Sequence, residues 1–113
     1  MKNIIAGTAA AAALLLGTGA PAPAADAPKP TVVHITNFTF VPATVTVPAG
    51  TTITFVNDDQ EPHTVTATDK SFDSEGLDTH QSWKHAFAKA GTFTYFCEMH
   101  PYMKGTVIVK GGS

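Results

Sequence analysis

The sequence predicts an all-β fold, an antiparallel sandwich of about seven short strands, on three observations. From Thr31 onward, short runs rich in Thr, Val, Ile and Phe alternate between polar and apolar side chains. Gly, Pro, Asn and Asp punctuate those runs at short intervals. Beyond an apolar stretch near the N-terminus, no segment carries a helical period.

The elements follow in order. Thr31 to Thr36 is β-branched and alternating, which reads as a strand. Thr44 to Val47 follows Pro42 and is turned by Pro48-Ala49-Gly50. Thr51 to Asn57 sets Ile53 and Phe55 on one face against Thr52 and Thr54 on the other. Asp58 to Pro62 is a polar loop, here expected to be solvated, leading into an alternating run from His63 to Thr68. Lys70 to His80 is irregular. Ser82 to Ala88 and Thr92 to Phe96 flank the turn at Ala90-Gly91, and the second of these strands ends at Cys97. Gly105 to Lys110 closes the domain.

The first residues read as an export signal rather than part of the fold. Lys2 forms a short basic region, Ile4 to Leu16 an apolar core, and Gly17 to Ala25 a small-residue and proline stretch suited to cleavage. The apolar core is shorter than the roughly 20 residues a spanning helix needs, and no cysteine near the cleavage region offers a lipid anchor. The expected organisation is a cleaved signal at 1–25, a linker at 26–30, one domain at 31–110 and a flexible tail at 111–113.

Removing the first 25 of 113 residues leaves 88, enough for one small domain. That part carries six Lys, no Arg and nine acidic residues, a balance that argues against nucleic acid as a partner. No membrane span is expected in it. The chain contains one cysteine, so no intrachain disulfide can form. An unpaired cysteine in an exported domain calls for another role, and metal ligation is the best available.

The residues around that cysteine supply the chemistry. Cys97, His100 and Met103 stand at positions one, four and seven of Cys97-Glu98-Met99-His100-Pro101-Tyr102-Met103, with a further histidine upstream at His63. One thiolate and two imidazoles with a weak axial thioether form the ligand set of a blue-copper centre. Thiolate and thioether suit Cu(I), while imidazole also suits Cu(II), so one set holds both oxidation states. In the predicted sandwich, His63 begins one strand, Cys97 ends another, and His100 and Met103 lie on the loop after it. Singly, each residue has a plainer reading, since a lone cysteine usually behaves as a small hydrophobe and a methionine as core filler. Jointly, at this spacing, they are read as metal ligands. Met99 is expected to face away from the site. His34, His80 and His85 are expected to be solvated rather than a second metal site.

The segment from Thr31 to Lys110 resembles the small cupredoxins of the amicyanin and plastocyanin group. Beside the ligand loop, the matching residues are Phe40-Val41-Pro42, Val47-Pro48-Ala49-Gly50, Phe55-Val56-Asn57, Gly91 to Cys97 and Met103-Lys104-Gly105. The resemblance implies a Greek-key β-sandwich and a one-electron carrier with one type 1 copper per chain. It also implies Cys97 as principal ligand, His63 as the buried imidazole, His100 as the one nearer the surface and Met103 as the axial ligand. Where that group places Asn after the first ligand histidine, this chain has Thr64, whose hydroxyl replaces only part of an amide's hydrogen bonding.

The resulting expectation is a periplasmic or otherwise exported, monomeric electron carrier. It would meet transient protein redox partners through an apolar rim at Pro101 and Tyr102. A copper carrier or storage protein, which hands on the metal rather than cycling it, is the alternative. A zinc site is disfavoured by the thioether. An enzyme is not expected, because a hydrolase built on Cys97 and His63 would need an oxyanion site and a third group that the sequence does not supply.

Overall fold

Side-chain alternation builds two sheets that bury one face of each against the other. The structure, a computed structural model, describes residues 31–111. The export signal, the linker and the last two residues of the tail lie outside the described residues. Eight strands follow one another: β1 (Thr31–Thr36), β2 (Thr39–Val41), β3 (Thr44–Pro48), β4 (Thr51–Asn57), β5 (Thr66–Ala67), β6 (Ser82–Phe87), β7 (Gly91–Cys97) and β8 (His100–Lys110). They form one sheet in the order β2-β1-β4-β6 and a second in the order β3-β8-β7-β5. This is the expected all-β two-sheet sandwich.

The pairing differs from a purely antiparallel sandwich in two places. β1 pairs with β4, and β3 with β8, in parallel. The chain crosses to the opposite sheet between the members of each pair, so it returns running in its original direction. All other named pairings are antiparallel.

The core is the set of inward positions. Val33 and Ile35 of β1, Ile53 and Phe55 of β4, Tyr95 and Cys97 of β7, and Val107 and Val109 of β8 are all buried, each two residues from the next on its strand. Asn57 continues the inward face of β4 and is also fully buried. Its amide donates to the carbonyls of Glu61 and Leu77, and its side-chain oxygen accepts from the Asp59 N–H. A buried amide satisfied in this way fixes the chain's exit from β4.

Outside the Cys97–Met103 stretch, two elements depart from the sequence expectation. The run His63–Thr68 contributes only the two-residue β5, although His63 through Ala67 are all buried. On one side Thr66 and Ala67 pair with Phe96 and Tyr95 of β7. On the other, the irregular 70–80 segment covers it, bridging His63 to Leu77 and Thr66 to Asp73. Cover on both flanks buries the Thr side chains that alternation assigned to solvent. The second departure is β2, too short to show a period, which returns from β1 through a two-residue turn at Asn37-Phe38. Both turn residues have positive φ, 57° and 59°, as in the tight turns that suit hairpin twist.

Candidate metal centre

The hairpin of β7 and β8 carries three of the four expected ligands. Its register runs regularly to Phe96↔Lys104, then jumps to Cys97↔His100. Pro101, Tyr102 and Met103 therefore bulge from the ladder. Pro101 has no N–H to give to it, which suits a residue at a bulge. The expected ligand loop is thus a bulged strand end, with His100 and Met103 inside β8 rather than on a loop ahead of it. Cys97 and Met103 are buried, His100 is half-buried, and Tyr102 stands out at 69% exposure.

His63 arrives from the segment ahead of β5 and is completely buried. Exchanged backbone hydrogen bonds with Leu77 hold it there, at 3.1 and 2.8 Å. The structure brings His63, Cys97 and His100 together, with their ligand atoms within 4.8 Å of one another. Among the described residues this is the one cluster of His, Cys and acidic side chains close enough to share an ion. Met103, two residues from the buried Gly105 on the inward side of β8, joins the core.

The spacing tests whether a metal fits. Cys97 Sγ lies 3.6 Å from His63 Nδ1 and 3.8 Å from His100 Nδ1. A metal about 2.3 Å from a thiolate and about 2.0–2.1 Å from an imidazole places S and N roughly 3.7 Å apart when the angle between them is near tetrahedral or trigonal. The observed separations match that requirement. With soft sulfur and borderline nitrogen donors, the set fits copper.

Thr64 supports the cysteine from its backbone and its side chain. The Thr64 N–H donates to Cys97 Sγ at 3.3 Å, a contact that favours the thiolate. The Thr64 hydroxyl accepts from the Glu98 N–H at 2.8 Å. That hydroxyl also lies 2.9 Å from the Thr66 hydroxyl, which in turn donates to the Asp73 carboxylate at 3.1 Å. Because Thr66 spends its hydrogen on Asp73, Thr64 is the donor between the two hydroxyls. Thr64 therefore ties the His63 and Cys97 segments together.

Sequence reasoning missed two neighbours of the site. His63 Nε2 lies 2.9 Å from Asp59 Oδ2, and a carboxylate only accepts, so Nε2 carries the hydrogen. In the neutral ring Nδ1 is then free to face Cys97. Asp59 also accepts from the N–H groups of Asn37 and Phe38, at 2.6 and 2.9 Å. Burial pushes the Asp59 carboxyl up, but the Phe38 and Asn37 hydrogen bonds and the His63 pairing outweigh it and hold it below the usual carboxylate range. The acidic loop is therefore not uniformly solvated. Phe38 is the second neighbour: its ring meets His63 and His100 edge-on, with centroids 5.2 and 5.0 Å away. Neither leaves a local mark in the sequence, since both reach the site from other elements.

The remaining histidines divide. His34 is exposed and pairs with Asp58 at 2.7 Å, and His80 is exposed. His85, expected to be solvated, is half-buried: it stacks on Trp83 and packs against Phe72 and Phe87. Met99 is 48% exposed, in line with its expected outward direction.

Comparison with known proteins agrees with this geometry. Residues 7–109 match the family model of the cupredoxin-like domain. The chain is 34% identical over 84 residues to an amicyanin of Paracoccus versutus, covering 70% of this chain and 64% of that protein. It is 33% identical over 111 residues to amicyanin-alpha of Methylorubrum extorquens, covering 94% of this chain and 92% of that protein. The crystal structure of the P. versutus amicyanin superposes with a TM-score of 0.66 at 34% identity, over 76% of this chain and 87% of that one.

Proposed function

Given that the chain belongs to the cupredoxin-like family, we propose that it is a one-electron carrier, not an enzyme, with a type 1 copper site held by His63, Cys97, His100 and Met103. The observation that carries this reading is the pair of Sγ–Nδ1 separations, 3.6 and 3.8 Å, presented by a rigid strand end. Copper bound there supplies one-electron cycling between Cu(I) and Cu(II).

The residues divide the work. Cys97, buried and bonded by the Thr64 N–H, gives up its proton on metal binding. His63, fully buried, keeps water from one side of the site. His100, half-buried and flanked by Tyr102 with ring centroids 6.1 Å apart, lies nearest to solvent and is the port for electrons. Phe38, Met99 and Tyr102 are exposed apolar side chains. Phe38 and Tyr102 border His100 directly, and a weak electron-transfer encounter needs only a small contact of this kind. Transient protein redox partners, a monomeric state and export to the periplasm complete the proposal. The apolar and small-residue stretches at residues 4–25 support export. Among the described residues, no helix is long and apolar enough to cross a membrane.

A visible spectrum during Cu(II) addition to the purified domain tests the reading. The expected result is an intense thiolate band saturating at one copper per chain, bleached by ascorbate and restored by oxidant. Copper absorption without that band would remove Cys97 from the ligand set and favour the carrier or storage alternative.

A further inference from the structure

The acid at position 59 does more than close a loop. Its side chain is 13% exposed and meets the fully buried His63 ring on the nitrogen facing away from Cys97. The same carboxylate receives both N–H groups of the Asn37–Phe38 turn. Phe38 has a φ of 59°, a left-handed conformation that bulky side chains adopt only when their surroundings impose it. The Asp59 carboxylate is one such constraint, and the ring it holds in place packs on both imidazoles. Asp59 is itself secured, its N–H bonded to the Asn57 side chain and its carbonyl accepting from the Thr79 hydroxyl.

We propose that Asp59 is a positioning residue of the metal centre, fixing the His63 tautomer and the Phe38 ring together and biasing the centre toward its higher oxidation state. The inference rests on the copper reading above. A carboxylate behind a ligating imidazole orients the ring and makes it a stronger donor, and losing such a partner typically weakens metal binding by about 10–100-fold. The negative charge favours Cu(II) over Cu(I), because the ion of higher charge gains more from it. A neutral acceptor at this position would leave the centre easier to reduce.

The experiment has two arms. In copper-free wild-type protein, at a pH where the imidazoles are neutral, ¹⁵N NMR of the His63 ring should show the hydrogen on Nε2. Finding it on Nδ1 overturns the positioning role. In copper-loaded protein, Asp59→Asn should keep the thiolate band and shift the Cu(I)/Cu(II) ratio about tenfold toward Cu(I) at a fixed ambient potential. For one electron that is an upward shift of about 59 mV. Asp59→Glu, which restores the charge, should bring the potential back toward wild type. An unchanged potential in Asp59→Asn overturns the redox bias. Should Asp59→Asn fail to fold, Asp59→Ser removes the charge in its place: an upward shift of the potential supports the bias, and an unchanged potential overturns it. A wild-type protein without the thiolate band overturns the copper reading and the redox bias with it, while the tautomer result separately decides the positioning role.

Discussion

Thr64 joins two distant segments through both its side chain and its backbone. Its hydroxyl accepts from the Glu98 N–H and passes its own hydrogen to Thr66, while its backbone N–H reaches Cys97. Two segments 33 residues apart are thus joined at one buried residue. Thr64→Val keeps the shape and the backbone bond to sulfur but strands the Glu98 N–H and takes from the Thr66 hydroxyl the bond it accepts, leaving its bond to Asp73. The expected cost is about 1–3 kcal/mol, read as a lower urea midpoint of the copper-free protein. An unchanged midpoint would mean that water replaces both bonds. Asp59 belongs to the same scale: it is one acid among four polar residues in Asp58–Glu61, and only the fold singles it out.

Among elements, the β7–β8 hairpin has the least freedom. Gly105 sits opposite Tyr95 in the register, and a methyl group at Gly105 would drive into the Tyr95 ring. Tyr95 is itself packed between Phe40 and Phe55, with centroids 4.8 and 5.5 Å away, and has little room to move. Gly105→Ala should therefore cost about 1–3 kcal/mol. Tyr95→Phe has the opposite expectation. Among the described residues the buried Tyr95 hydroxyl has no hydrogen-bond partner, and burial pushes its pKa far above the ordinary range. Removing it should leave stability unchanged or raise it by up to about 1 kcal/mol. Denaturant unfolding of the two variants checks both. A fully stable Gly105→Ala would show that the ring can yield, and a large loss in Tyr95→Phe would show that the hydroxyl has a partner. The same hairpin displays the limit of pattern reading. Strand β7 was legible to its end at Cys97, but the bulge that draws His100 and Met103 into β8 depends on which residues face each other across the ladder.

For the molecule as a whole, the candidate metal centre draws on both sheets. Cys97 and His100 come from β7 and β8 of the second sheet, and His63 from the approach to β5. Their supports, Asn57, Asp59 and Phe38, come from the end of β4 and the β1–β2 turn of the first. In the proposed copper site, holding these side chains between two sheets would limit their movement when the metal changes oxidation state. Away from the ligands, His85 couples global stability to pH. Burial among aromatic rings lowers its pKa below 6.5. Above that value neither the folded nor the unfolded chain protonates it, and its neutral packing contributes fully. As pH falls below 6.5, the unfolded chain takes up a proton that the folded chain resists, and stability drops until pH passes the lowered folded value. His85→Phe should flatten that part of the stability profile, measured as urea midpoints of copper-free protein between pH about 8 and about 5. Parallel profiles for wild type and variant would remove His85 from the account.

The sequence by itself determined what depends on order along the chain. Alternation assigned most inward positions, because side chains on a strand must point to opposite faces. Donor chemistry and spacing singled out His63, Cys97 and His100, which the fold brings together, and proposed Met103 beside them, because a thiolate, two imidazoles and a thioether have few joint uses. The tertiary structure alone decided the rest: the burial of the whole His63–Ala67 run, the packing of His85, the Thr64 relay and the placement of Asp59 and Phe38 against the imidazoles. Those features join residues brought together from different strands and loops, where neither period nor spacing reports on contact. An acid beside a proline-containing loop reads as solvated until the fold shows which nitrogen it faces.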